Sequence, residues 1–144
     1  MDATALVRSL STQFAHVGIG QEVLVVPAGG GIVVRSEYGD PMTVIAEAGT
    51  FRLVAPSGRG LDTGIRFDQP LELLGLYLAF HALWTIHRLI EREGAADAVR
   101  RHPRVSFHSS QIVAHLGMQS GSRDAEVAGY ARRLLGDARA MLGA

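Results

Sequence analysis

The sequence predicts an α+β fold, in which an antiparallel β-meander packs on a long central helix and a helical C-terminal region follows. Three observations lead to this prediction. Short β-branched segments separated by tight turns fill the chain from residue 22 to residue 67. A strongly apolar run then extends from Leu71 to Ile90, and beyond residue 94 apolar residues recur at helical spacing. The short connections favour antiparallel pairing, because parallel strands need long crossovers.

The composition predicts one α+β domain over residues 1–144 and removes several classes of function. Of the 144 residues, 47% are hydrophobic and 19% are charged, which is enough to build a sizeable core. The 14 basic and 14 acidic residues cancel, so a nucleic-acid partner is not expected. The chain has no cysteine, which excludes disulfides and thiolate chemistry. All 14 basic residues are arginine, which excludes lysine-based catalysis.

A short amphipathic helix from Asp2 to about Phe14 is predicted first, and four or five strands follow it. The predicted strands are Glu22–Pro27, Ile32–Tyr38, Met42–Glu47, Thr50–Ala55 and, as the optional fifth, Gly64–Phe67. Glycine tolerates positive φ and therefore favours turns between strands. The predicted turns and loops are Ala28–Gly31, Gly39–Pro41, Ala48–Gly49 and Pro56–Gly60.

The central helix is predicted to begin within Asp68–Glu72, with Asp68 as its capping carboxylate, and to end at Gly94. Its bulky apolar face indicates the core element of the domain, and we expect Trp84 to be buried there. Two histidines, a carboxylate and an arginine within this helix make a membrane span costly. No secretory signal precedes it. We therefore expect a cytoplasmic protein with no membrane partner. The bulky face consists of Leu73, Leu76, Tyr77, Phe80, Leu83, Trp84 and Ile90.

Three shorter helical segments are predicted in the C-terminal region. The first covers Ala95 to Arg101, and a second, capped by Ser109 or Ser110, runs for a turn or two through Leu116. Ser122 is expected to cap the last helix. Its single packing seam consists of Val127, Ala131, Leu134, Ala138 and Met141.

No motif for catalysis, a cofactor or a metal ion is found. His81 and His87 are six residues apart and therefore do not share a helix face. His108 and His115 would align only if one helix spanned both, and the serines between them argue against that. The glycines at 29–31 precede strand-like residues, so they favour a hairpin turn over a phosphate-binding loop.

Five side chains on the central helix are the candidate ligand- or partner-binding residues. Aromatic, imidazole and guanidinium groups could border a pocket between the sheet and the helix. Further along, the arginines of residues 88–104 interleave with acidic residues, so helix-surface ion pairs are the favoured interpretation and an anion-binding patch the alternative. The five candidates are Tyr77, His81, Trp84, His87 and Arg88.

Two stretches of the sequence resemble the TNT antitoxin family. They are Phe51–Gly58, a strand that ends in an Ala-Pro-Ser-Gly turn, and Leu71–Leu78 followed by Thr85 and Ile86, which resembles that family's long helix. These are actinobacterial immunity proteins that neutralise an NAD-degrading toxin, and an arginine-rich, lysine-free composition suits an actinobacterial gene. The resemblance implies a cytoplasmic protein that binds a toxin and blocks its NAD pocket. It implies no particular contact residues.

Three functions remain open from the sequence. The first is a non-enzymatic protein-binding module, an immunity or antitoxin-like protein that neutralises a partner toxin. The second is a small-molecule binder or enzyme with a pocket between sheet and helix. The third is a peptide binder that uses an exposed strand edge, as a secretion chaperone does, which rests on a likeness of fold alone. A homodimer is also left open.

Overall fold

The α+β class predicted from the sequence is confirmed. The computed structural model describes Leu10, the backbone of Gln21–Val25 and residues 31–143. Five antiparallel strands form one sheet in the order β1-β2-β3-β4-β5, so each strand pairs with its neighbours in sequence. The strands are β1 (Gln21–Val25), β2 (Ile32–Ser36), β3 (Gly39–Glu47), β4 (Thr50–Val54) and β5 (Gly60–Arg66).

Four helices follow the sheet within residues 71–141. They are α1 (Leu71–Glu93), α2 (Ala95–Arg101), α3 (Val105–Gln119) and α4 (Ala125–Met141). The predicted helix from Asp2 to Phe14 lies outside the described residues, except for Leu10, which is helical and fully buried. The predicted turn at Ala28–Gly31 likewise lies outside them, except for Gly31.

The turn between β2 and β3 is tighter than the sequence suggests. Gly39–Pro41 was predicted as a turn, and that prediction is wrong, because these residues begin β3 and only Glu37 and Tyr38 connect the strands. The pairing of β2 with β3 is irregular between Val34 and Ser36. An irregular ladder tolerates a proline, which has no N–H to donate.

The hairpin between β3 and β4 forms where the sequence predicts it. Ala48 and Gly49 connect the strands and both have positive φ, 54° and 85°. Positive φ at both central residues defines a type I′ turn, whose twist matches that of the strands. The fifth strand is also present, but it begins at Gly60 rather than Gly64.

One face of the sheet and one side of each long helix enclose a common hydrophobic core. In β4, Phe51 and Leu53 are buried while Arg52 between them is not, as the alternation predicts. The register aligns Ile32, Val44 and Leu53 across three strands, which gives a continuous apolar row. The α4 seam is confirmed, with Val127, Ala131, Leu134 and Ala138 buried and Met141 packed against the core.

Helix α1 has the predicted extent but not the predicted cap. It ends before Gly94, whose φ of 89° suits glycine, and the Gly94 N–H donates to the Ile90 carbonyl. Pro70 occupies the N-cap position, and no side chain caps the helix there. Asp68, predicted as the cap, instead accepts from Nε of Arg66 at 3.1 Å, so the interpretation of Asp68 was wrong.

Burial on α1 differs from the prediction at one large residue. The small residues Gly75, Ala79 and Ala82 are buried, as is Leu83, which is 0% exposed. Trp84 was predicted to lie in the core, and that prediction is wrong, because its side chain is 44% exposed. The helical period of 3.6 residues places Trp84 at one edge of the buried face of α1, although the helix is apolar around much of its circumference.

Length and composition alone would allow α1 to cross a membrane. Its most apolar window has a mean hydropathy of 1.3, and 56% of that window is buried within the fold. Buried apolar surface on α1 contacts the sheet and the other helices, as in the core helix of a globular protein.

Two predictions about the C-terminal helices are corrected. One uninterrupted helix, α3, spans Ser109 and Ser110, because serine in a helix interior is tolerated where packing holds the helix. At α4 the cap is Asp124, which accepts from the N–H groups of Glu126 and Val127. The hydroxyl of Ser122, the predicted cap, instead accepts from the Asp124 N–H. The short helix α2 has the predicted bounds.

The contrast between Leu83 and Trp84 gives a paired test of the α1 orientation. We expect Leu83→Ala to lower the free energy of unfolding by about 2–5 kcal/mol, because it leaves a cavity in the core. The adjacent Trp84→Ala should cost less than about 1 kcal/mol, because that side chain already contacts solvent. Urea denaturation followed by circular dichroism measures both. Equal losses would contradict the orientation.

Candidate binding groove

A groove of about 480 Å³ opens between α1 and the β2–β3 hairpin. Its floor is apolar, from Val34 and Met42 on the sheet and Leu78, Ala82 and Leu89 on the helix. Polar side chains border this floor on both sides. The bordering side chains that matter below are Ser36, Tyr38 and Asp40 from the sheet and His81, Trp84, Thr85, Arg88 and Arg92 from α1.

A glycine sets the distance between the two walls. A Cβ added to Gly39 would lie 2.6 Å from Cγ2 of Thr85, which is closer than two non-bonded carbon atoms approach each other. The start of β3 therefore rests directly on α1 at this position, because glycine has no side chain there. The Thr85 hydroxyl donates to the His81 carbonyl at 2.9 Å. This hydrogen bond holds the Thr85 side chain in one rotamer, with its methyl group next to Gly39.

Trp84 and Arg88 form an exposed stacked pair on the helix wall. The guanidinium carbon of Arg88 lies 5.4 Å from the centroid of the Trp84 ring, within the range of a cation–π interaction. On the other side, the rings of His81 and Trp84 are 5.8 Å apart and inclined by 35°. Burial lowers the pKa of His81, so its imidazole is neutral at pH 7. The wall thus changes from neutral to cationic along the helix.

The two arginines of the groove have no carboxylate partner in the described part of the chain. The acidic residues nearest to them on α1 are engaged elsewhere, since Glu91 contacts Nε2 of His87 at 2.9 Å and Glu93 contacts Arg101. Of the predicted helix-surface ion pairs, those of Arg100 with Asp97 and Arg101 with Glu93 are present. Arg88 and Arg92 therefore keep their charge available to a ligand.

Three of the five candidate residues lie at this groove and two do not. His81, Trp84 and Arg88 line it. Tyr77 is half-buried on another side of α1, where burial and then the charge of Asp62 raise its pKa. His87 points to Glu91 rather than to the groove. His81, Trp84 and Arg88 are spaced by three and four residues, so they lie on one face of α1.

A polar cluster that the sequence did not reveal lies beside the groove. The buried side chains of Tyr38 and His108, 4% and 3% exposed, are hydrogen-bonded through the Tyr38 hydroxyl and His108 Nδ1. Oε2 of Glu37 is 3.3 Å from His102 Nδ1, and Oε1 is 3.4 Å from His108 Nδ1. The cluster therefore joins the β2–β3 turn to α3 and to the residue that follows α2.

The protonation states of this cluster follow from its burial. Desolvation lowers the pKa of His108, and the positive charge of Arg104 lowers it further, although Glu37 opposes both effects. Desolvation and the adjacent Glu37 raise the pKa of Tyr38. A neutral imidazole has one donor and one acceptor nitrogen, so the tautomer of His108 sets the direction of its hydrogen bond with the Tyr38 hydroxyl. Residues 38 and 108 are 70 positions apart, so no local pattern connects them.

The described residues do not form a metal centre. The Tyr38 hydroxyl occupies Nδ1 of His108, and no group of three or more acidic or histidine side chains in residues 31–143 has an arrangement that could hold a metal ion. His108 and His115 lie on one helix, contrary to the prediction, and both are buried. The arrangement instead offers a surface with an aromatic group, two cations and an apolar floor, which suits binding.

Comparisons with known proteins give no family to this chain: no family model, no curated protein and no solved structure matches it.

The close approach at Gly39 predicts a rescue experiment. We expect Gly39→Ala to destabilise the fold by about 1–3 kcal/mol, because the new methyl group overlaps the Thr85 methyl. Thr85→Ser removes that methyl but keeps the hydroxyl that donates to His81. The double variant should therefore recover most of the loss in thermal denaturation. Additive losses would show that the strand does not rest on Thr85.

The lowered pKa values of His81 and His108 predict a stability that falls on acidification. Because burial holds the pKa of His81 and His108 below 6.5, the unfolded chain takes up protons first as pH falls through about 6.5. The free energy of unfolding should therefore decrease below that pH and be fully present above it. We expect His81→Gln/His108→Gln to have a shallower dependence when urea midpoints are compared across pH. An unchanged slope would contradict the assignment of neutral histidines.

Proposed function

We propose that this protein is a non-enzymatic protein-binding module that uses the groove to hold a partner. The observation that carries this proposal is the exposed Trp84–Arg88 pair above an apolar floor. Tryptophan and arginine dominate the residues that contribute most to protein–protein affinity, particularly where they border a desolvated centre. The indole of Trp84 is 44% exposed, and contact of its apolar surface with water is unfavourable. A partner that covers the ring removes this surface from water, which favours binding.

The class of partner that we propose is a toxin, so that the protein acts as an immunity protein in the cytoplasm. Support comes from the resemblance of Phe51–Gly58 and Leu71–Leu78 to the TNT antitoxin family. The first stretch comprises most of β4 and the turn after it, and the second comprises the first two turns of α1. Burial of α1 in the fold supports a protein without a membrane anchor in that helix.

Binding to the product of a neighbouring gene tests this function. We expect the purified chain to form a stable complex with that product, and Trp84→Ala to weaken it by at least about thirtyfold, the effect of a residue worth 2 kcal/mol. Val99→Ala is the matched control, because Val99 is similarly exposed, at 46%, but does not line the groove. Isothermal titration calorimetry measures both. Equal binding by wild type and Trp84→Ala would contradict the role of the groove.

A small-molecule ligand is the second candidate function. The groove volume of about 480 Å³ lies within the size range of ligand pockets. A thermal-shift screen of nucleotides and acyl compounds separates the two functions, because a ligand that binds the folded state raises Tm with concentration. A shift that Trp84→Ala abolishes would favour the small molecule over the protein partner.

A further inference from the structure

We propose that the groove binds an extended, acidic segment of the partner, with its carboxylates held by Arg88 and Arg92. This inference rests on the proposed protein-binding function and specifies the chemistry of the bound segment. The occupant is a peptide segment rather than a compact molecule, and its charge is opposite to that of the helix wall.

The shape of the groove supports a peptide. Its lining on α1 extends over the fifteen residues from Leu78 to Arg92, whose ends are about 21 Å apart along the helix axis. A fully extended segment of about six residues covers that distance. Side chains on one face of such a segment would reach the apolar floor at Met42 and Ala82, while those on the other face remain in solvent.

The charges along the groove set the composition and direction of that segment. Arg88 and Arg92 are one helical turn apart, so their guanidinium groups border the same end. His81, which is neutral, lies nearer the other end, next to the exposed ring of Trp84. Acidic side chains are therefore favoured at the arginine end, and an apolar or aromatic side chain is favoured beside Trp84.

The opposite wall restricts where those acidic side chains can lie. Asp40 is the one carboxylate among the described lining residues, and no described basic side chain forms an ion pair with it. The negative charge of Asp40 repels acidic side chains of the bound segment from the sheet wall. These side chains are therefore favoured at the helix wall. With His81 neutral, the two arginines outweigh Asp40, so the described lining residues carry a net positive charge.

Peptide selection on the full chain tests this proposal. A random hexapeptide library displayed on phage is selected against the immobilised protein, and the best peptide is synthesised with a fluorescent label. We expect selected sequences to combine two acidic residues with an aromatic or large apolar residue. Binding of the labelled peptide should weaken with added salt, whereas a version with glutamine in place of its acidic residues should bind weakly at every salt concentration.

Four variants assign the contacts. We expect Arg88→Gln and Arg92→Gln each to weaken binding about tenfold in fluorescence anisotropy, because each removes a charge-assisted contact. Asp40→Asn should strengthen binding about threefold by removing the repulsion. Arg132→Gln is the matched control, because Arg132 is an exposed arginine on α4 outside the groove. Thermal melts verify that each variant is folded.

The possible outcomes separate this inference from the function beneath it. Selected peptides that need Trp84 but bind unchanged to Arg88→Gln/Arg92→Gln would overturn the acidic specificity and leave the protein-binding function standing. If no selected peptide depends on Trp84 or on the arginines, both proposals fail. A dimer in sedimentation analysis that Trp84→Ala disrupts would make a second copy of this chain the occupant and overturn the proposal.

Discussion

Burial of α1 is the constraint on which the rest of the structure depends. This helix supplies nine residues to the hydrophobic core, more than any other described element, and both the sheet and the remaining helices pack on it. A helix that is apolar around most of its circumference is unstable in water unless other elements cover it. The sheet, with one apolar face, and α4, with one apolar seam, each cover a part of it. Each of these elements would otherwise expose its own apolar surface.

The groove exists because that coverage is incomplete at one edge. At Gly39 and Thr85 the start of β3 lies too close to α1 for a side chain at position 39, and beside this contact the apolar floor is open. Trp84 lies at this edge and is 44% exposed, while the adjacent Leu83 is fully buried. The same geometry that closes the core thus leaves an indole and two arginines on one side of the molecule.

Local patterns predicted most of the secondary structure. The Ala48–Gly49 hairpin, the end of α1 at Gly94 and the seam of α4 all follow from residues that interact within a few positions. Errors arose where tertiary packing decides. Ser109 and Ser110 favour a helix cap locally, yet they lie inside α3, where the buried His108 and Ile112 hold the helix in place.

The candidate site was only partly predictable for the same reason. Spacing on α1 places His81, Trp84 and Arg88 within two turns, but the sequence does not show which side of the helix the sheet covers. The pairing of Tyr38 with His108 depends on the whole fold, because 70 positions separate the two residues.

That long-range pairing can form only late in the synthesis of the protein. During synthesis the described strands leave the ribosome before α1, so the α1 residues that pack on their apolar face emerge later. The hydrogen bond between Tyr38 and His108 can form only after residue 108 has been added to the chain. Until then apolar surface of the nascent sheet is accessible to chaperones and to other strands. The partly synthesised chain is therefore prone to aggregation.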